Sequence, residues 1–228
     1  SSKNTKESEL KLLEKMKSHQ FVEEKVMKSA PHISSFNFTR EAFFNKEFDE
    51  ISTKARGLFV NNKTNEVVAR GYDKFFNVGE KDIKVAQDDY LRDNMKGEIK
   101  TYLKENGFLG ILGYDSEKDE LFFASKSTCD SDFADYFKEI FNNTITPENA
   151  ERLRQDLKKN KSCAVFEVND PVNDPHIVQY DKAHIVLLDV FKRELALKRV
   201  SNKKLKTFAK FYGLKVKDDG PSFKTVAD

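Results

Sequence analysis

Cysteine is scarce in this chain. Cys129 and Cys163 are the only two among 228 residues, which excludes a disulfide framework and fits a reducing, cytoplasmic compartment. Histidine is almost as rare: four scattered residues and two distant cysteines give no zinc spacing, so any metal chemistry should be of the hard, oxygen-liganded kind. No apolar run approaches the roughly 20 residues that cross a bilayer, and the start of the chain has no signal-peptide apolar region. No Walker A loop, GxSxG or HExxH is present, which argues against a P-loop kinase and the commonest hydrolase types. Repeats and low-complexity linkers are absent as well.

What is present is charge. Forty basic and 38 acidic residues nearly cancel to a formal +2, and charged residues make up 34% of the chain against 38% apolar. That balance suits a water-exposed globular protein able to bury a real core, as one large domain or two small ones. Leu10, Leu13 and Met16 at helical spacing predict an amphipathic helix, whole or in two pieces, over residues 7–28, ended near Pro31. KARGLFV and EVVARGY around the turn-rich NNKTN read as a hairpin. IKTYLK, FLGILGY and ELFFASK read as three further strands, and SCAVFEV and HIVLLDV as two more. Helical patterns fill SDFADYFKEIFNN, TPENAERLRQDLKKN and SNKKLKTFAKFYG. Thr146 and Pro147 should start the second of these; Ser201 and Gly213 should bound the third. Strands with inserted helices and no regular alternation predict an α+β fold with a largely antiparallel sheet.

The stretch TYLKENGFLGILGYD, residues 101–115, delivers a charged pair to the mouth of a buried strand. Lys104 there is either part of an exposed turn or a reactive amine on a rigid base. An unperturbed lysine has a pKa near 10.4, so only roughly four in ten thousand are neutral at pH 7. Partial burial and neighbouring cations would lower that value, and Arg56, Lys74 and Lys126 are candidate cations at other strand ends. Gly107 lets backbone pass close to a ligand.

KARGLFV, VARGYDKFFNVGE, LKENGFLGI, FFASKST and AVFEVND occur in that order. Together, from about residue 33 to about 190, they resemble the ATP-dependent RNA ligases of the phage tRNA-repair and fungal tRNA-ligase branch of the covalent nucleotidyltransferases. The resemblance implies a DNA/RNA ligase-like nucleotidyltransferase domain, unrelated to ATP-grasp, with antiparallel sheets and inserted helices. It implies ATP and Mg²⁺ as cofactors, with metal ligands that the sequence does not name. The implied substrate is RNA with broken ends, tRNA first among them. By the same resemblance Lys104 is the nucleophile that takes AMP as a lysyl-AMP phosphoramidate. Arg56, Lys74, Phe76, Glu105, Gly107, Lys126 and Glu167 form the nucleotide-binding set, Glu167 on the ribose. SSFNF resembles the aromatic segment lining the adenosine pocket, which adds Phe36.

Read singly, Phe36 and Phe76 suit packed core in a chain with 20 phenylalanines,, and Glu167 suits an ordinary salt bridge. Residues 192–217 hold ten lysines or arginines against one glutamate; such a stripe suits RNA phosphates or a solvated helix face. The family's downstream E-G-x-V and K-x-K elements are missing: there is no Glu-Gly dipeptide, and Lys215-Val216-Lys217 comes too early. The domain expectation is therefore an N-terminal helical segment over 1–32 and a C-terminally incomplete adenylation domain over 33–228, which by itself should adenylate slowly or not at all. Two rivals stand beside it: a non-catalytic nucleotide- or RNA-binding module derived from a ligase, and another polynucleotide nucleotidyltransferase.

Overall fold

The computed structural model describes residues 2–45, 48–73, 107–171 and 182–216. Two sheets face each other. The first, in order β1-β2-β3-β4, is antiparallel throughout and comprises β1 (Val22–Val26), β2 (Ile33–Phe38), β3 (Leu58–Asn61) and β4 (Val67–Arg70). The second, in order β6-β5-β7-β8-β9, comprises β5 (Phe108–Asp115), β6 (Glu120–Ser125), β7 (Ser162–Asn169), β8 (His184–Lys192) and β9 (Lys215–Val216); only the β8–β9 pair is parallel.

Helix α1 (Ser2–Lys17) covers the outer face of the first sheet. After the short α2 (Arg40–Asn45), α3 (Asp132–Thr144) and α4 (Pro147–Lys159) intervene between β6 and β7, and α5 (Asn202–Tyr212) between β8 and β9. All three pack on the outer face of the second sheet through residues such as Phe137, Phe141, Leu153 and Leu205. The α+β class and the antiparallel sheets are as the sequence predicts.

Local chemistry explains most element ends. Ser131, Thr146 and Ser201 each accept a backbone N–H three residues on, from Ala134, Asn149 and Lys204, and Gly213 closes α5 in the left-handed region at φ 67°,. The NNKTN turn is held by the Asn61 side chain, which accepts from the amides of Lys63 and Thr64. One expectation needs correction: the helix predicted to run to residue 28 stops at Lys17, and Val22–Val26 is a strand. The Ser18 hydroxyl bonds back to the Glu14 and Lys15 carbonyls at the helix end. His19 then accepts the Phe21 amide and meets Asp49 at 2.6 Å. The β-branched residues beyond find a partner in β2, and that pairing overrides helical periodicity. The β1–β2 hairpin thereby joins residues on both sides of position 32 in one sheet. The predicted strand IKTYLK lies outside the described residues.

Ile33, Phe59, Val68 and Ala69 of the first sheet meet Ile111, Phe122, Ala124, Cys163 and Val165 of the second in an interior cluster. Two buried polar devices tie the layers. His32, before β2, meets Asp115 at the end of β5 at 2.6 Å, both almost fully enclosed. Arg193 donates to the Ser162, Val67 and Leu157 carbonyls and to the Glu66 carboxylate, linking both sheets to α4. Along β7–β8 the register slips at Val165/Phe166, so Asp189 pairs with Val165 while Leu187 already pairs with Phe166. Leu188 is the extra residue of a bulge.

Candidate nucleotide site

Cross-strand register gathers the site residues on the interior face of the second sheet. Leu109 on β5 pairs with Glu167 on β7, Glu167 with Val186 on β8, and Val186 with Lys215 on β9. Lys126 extends this row, because Ser125 pairs with Gly110 and Lys126 follows opposite Leu109. Ile111, Val165 and Ala124, two residues away from Leu109, Glu167 and Lys126, all belong to the interior cluster. A strand's period of two therefore points the row to that same side. Leu214 and Val216 pack on the helical side, which leaves Lys215 facing the row's side.

The first sheet closes on this edge. A side-chain carbon placed on Gly57 would lie 2.8 Å from the Lys126 carbonyl oxygen and 3.0 Å from Ile111; the Arg56–Gly57 and Lys126 backbones are in contact. Gly71 donates its amide to the Gly57 carbonyl at 2.8 Å, and a side-chain carbon there would come within 3.9 Å of the Arg56 carbonyl and 3.7 Å of Leu109. Gly107 sits at the row's other flank with φ 106°, where a Cβ would overlap the Val168 carbonyl oxygen at 1.9 Å. Only glycine fits there. Arg56, Gly107, Lys126 and Glu167 thus gather at one end of the second sheet's strands. Lys74, Phe76, Lys104 and Glu105 lie outside the described residues.

Burial pushes the Glu167 carboxyl up to about 7, and the Asn169 amide, donating to Oε1 at 3.3 Å, offsets part of that,. Asn169 in turn meets His184 Nε2 at 3.2 Å, and His184 Nδ1 donates to the Lys182 carbonyl at 2.7 Å. With Nδ1 donating to the carbonyl, Nε2 is the ring atom that faces the Asn169 amide,.

Phe36 is not brought to this group. Its ring is 1% exposed among Leu13, Met16 and Leu58, on the α1 side of the first sheet. The same segment reaches the site through its alternate residues: Ser35 donates to the Ser127 carbonyl at 2.7 Å, and Asn37 donates to Ser35 Oγ at 2.7 Å. Alternation along SSFNF carried the signal that Phe36 and Asn37 face opposite ways. Asn169, His184 and Lys215 came from pairing register, which no local motif announces.

The VARGYD segment contributes support. Arg70 is enclosed and donates to Asp73 and to the Glu194 and Leu195 carbonyls, while Lys54 meets Asp73 at 3.3 Å. Tyr72 donates to Asp189, and burial beside that carboxylate raises its phenol well above the usual range. A cleft of about 380 Å³ lined by Glu66, Tyr114, Asp119, Lys158 and Arg193 lies at the opposite end of β5, apart from the row. Among the described residues, no three His, Cys, Asp or Glu side chains group as metal ligands, and no helix is long and apolar enough to cross a membrane.

Residues 54–227 match the family model described as RNA ligase. The chain is similar to tRNA ligase 1 of Schizosaccharomyces pombe, 36% identical over 100 residues, an alignment that takes in 36% of this chain and 12% of that protein. Among solved structures an archaeal ATP-dependent RNA ligase, form 2, shares the fold with a TM-score of 0.52 at 12% identity, covering 92% of this chain and 49% of the other. The chain therefore spans less than half the length of either relative.

Proposed function

Since this chain belongs to the RNA ligase family, matched from residue 54 to 227, we propose that it is the adenylation domain of an ATP-dependent ligase acting in RNA or tRNA repair or splicing. The observation that carries this reading is the row Lys126–Leu109–Glu167 with Arg56 and Gly107 at its flanks. Lys104 stands three residues before Gly107 in the sequence.

Its neutral amine attacks the α-phosphorus of ATP; a P–N bond forms, the bond to pyrophosphate breaks, and the ammonium proton leaves to solvent. AMP then passes to an RNA 5′-phosphate, and attack by a 3′-hydroxyl seals the strand and releases AMP. Phosphoryl transfer spreads charge over the equatorial oxygens, so Arg56, Lys74 and Lys126 serve by position and charge. Glu167 would be repelled by phosphate but accepts hydrogen bonds from ribose hydroxyls, and Phe76 and Glu105 complete the nucleotide set. Mg²⁺ is proposed as the companion of ATP, held largely by phosphate oxygens, as that ion usually is.

Mass spectrometry of the full-length protein incubated with ATP and Mg²⁺ is expected to find AMP on Lys104. Lys104→Arg should abolish the adduct, because a guanidinium stays protonated and is no nucleophile. AMP on a different lysine, or an adduct that survives Lys104→Ala, would rule the assignment out.

A further inference from the structure

The outer face of α5 has no role in the nucleotide site, and its composition is unusual. No Asp or Glu occurs from residue 195 to 217. Leu205, Ala209 and Tyr212 bury the inner face, while Lys203, Lys204, Lys206, Thr207, Lys210 and Phe211 are exposed. At 100° per residue these six fall within an arc of about 160°. Among the described residues Lys203, Lys204 and Lys210 have no carboxylate partner.

Phe211 is 60% exposed in the midst of these cations. Its ring stands edge-on to Tyr212 at 4.8 Å and 82°, and the Tyr212 hydroxyl is anchored on Asp156 at 2.7 Å. The aromatic is therefore presented outward on a fixed base. The helix then leads through Gly213 and Leu214 to Lys215, which stands in the same cross-strand row as Glu167.

We propose that this face is a docking track for single-stranded RNA, with Phe211 stacking one base, Lys203, Lys204 and Lys210 meeting phosphates, and Lys215 handing the strand towards the nucleotide site. The proposal rests on the RNA ligase reading for its partner and adds the place where that partner lies. Lys203 to Lys210 spans about 10 Å, about three stacked nucleotides at about 3.4 Å each. A lone aromatic among lysines suits base stacking over a backbone-tracking charge stripe. A membrane surface would call for an exposed apolar stripe, and the apolar stripe of α5 is already buried.

The test is fluorescence anisotropy with a short 5′-phosphorylated, single-stranded oligoribonucleotide across a salt series, paired with lysyl-AMP formation from ATP alone. For Lys203→Ala/Lys204→Ala/Lys210→Ala the salt slope should fall by about 2, from about 0.7 per phosphate contact, with affinity down more than tenfold at low salt. Phe211→Ala should weaken binding about fivefold or more while leaving the slope unchanged. Both variants should form lysyl-AMP like the parent, and circular dichroism should show α5 intact, since alanine favours helix. If removing the three lysines leaves affinity and slope unchanged, the track is wrong. If Phe211→Ala turns a dimer into a monomer without touching RNA affinity, the ring covers a second copy instead, and the stacking role is overturned. AMP found on a lysine other than Lys104 would strike the nucleotide-site reading, while RNA binding would still be measured independently.

Discussion

At Glu167 burial and hydrogen bonding oppose each other, and burial wins: the carboxyl is raised from 4.5 to about 7. A raised acid holds its proton longer in the folded than in the unfolded chain. Its contribution to stability is therefore complete below about pH 4.5 and lost as pH climbs through about 7. Glu167→Gln should remove that dependence: urea midpoints of the parent should fall relative to the variant between pH 5 and 8. Bound ATP that donates ribose hydroxyls to the carboxylate would reverse the preference, so its affinity should rise through about pH 7 in the parent and stay flat in Glu167→Gln. Arg56→Ala and Lys126→Ala should each slow lysyl-AMP formation about 10²-fold, the order of one lost charge-stabilising donor. The thermal midpoint of Lys126→Ala should stay near the parent's, as is usual at exposed polar positions, while half-buried Arg56 should show a small drop. Arg56, Gly107, Lys126 and Glu167, each in a short block with its own signature, lie near one another in the fold. Phe36 lies away from that group, because strand parity puts it on the α1 side, and parity is visible only once the strand is paired.

Among elements, those bounded by their own caps were the readable ones. Ser201 and Gly213 delimit α5 as a side-chain acceptor and a left-handed residue should, and Thr146 with Pro147 starts α4. Ser201→Ala should cost about 1 kcal/mol, measurable as a drop of about 3 °C in the thermal midpoint, with no change in lysyl-AMP yield. Strand β1 was read as helix because Val22–Val26 is short and mostly exposed; only its pairing with β2 fixes it. Strand β9 is two residues long and parallel, too short for any periodicity to show. The turn residues of NNKTN needed no such help, since Asn61 closes the loop with its own side chain.

For the molecule as a whole, two sheets and α4 converge on Arg193, which is 8% exposed and makes four hydrogen bonds to three separate elements and Glu66. Arg193→Lys keeps the charge but strands the Ser162 and Leu157 carbonyls, because an ammonium cannot reproduce the guanidinium fork. The expected loss is about 3 kcal/mol, seen as a lower urea midpoint at unchanged slope. Sequence alone presents Arg193 as one more member of a basic stripe; its burial depends on where three distant segments meet. The extra residue at Leu188 matters for which changes of length this architecture tolerates. Each strand of the second sheet behaves as a parity code, odd positions to one side and even to the other, and the bulge spends one residue to reset the count midway along β8. Deleting Leu188 would restore simple alternation while keeping both Val186 beside Glu167 and Phe191 towards the first sheet, so β8 should tolerate a one-residue deletion there and not at its regularly paired positions. Insertions inside β5 or β7 should therefore be acceptable only in pairs, shifting the site by one full repeat. A single added residue would turn Glu167 over to the helices.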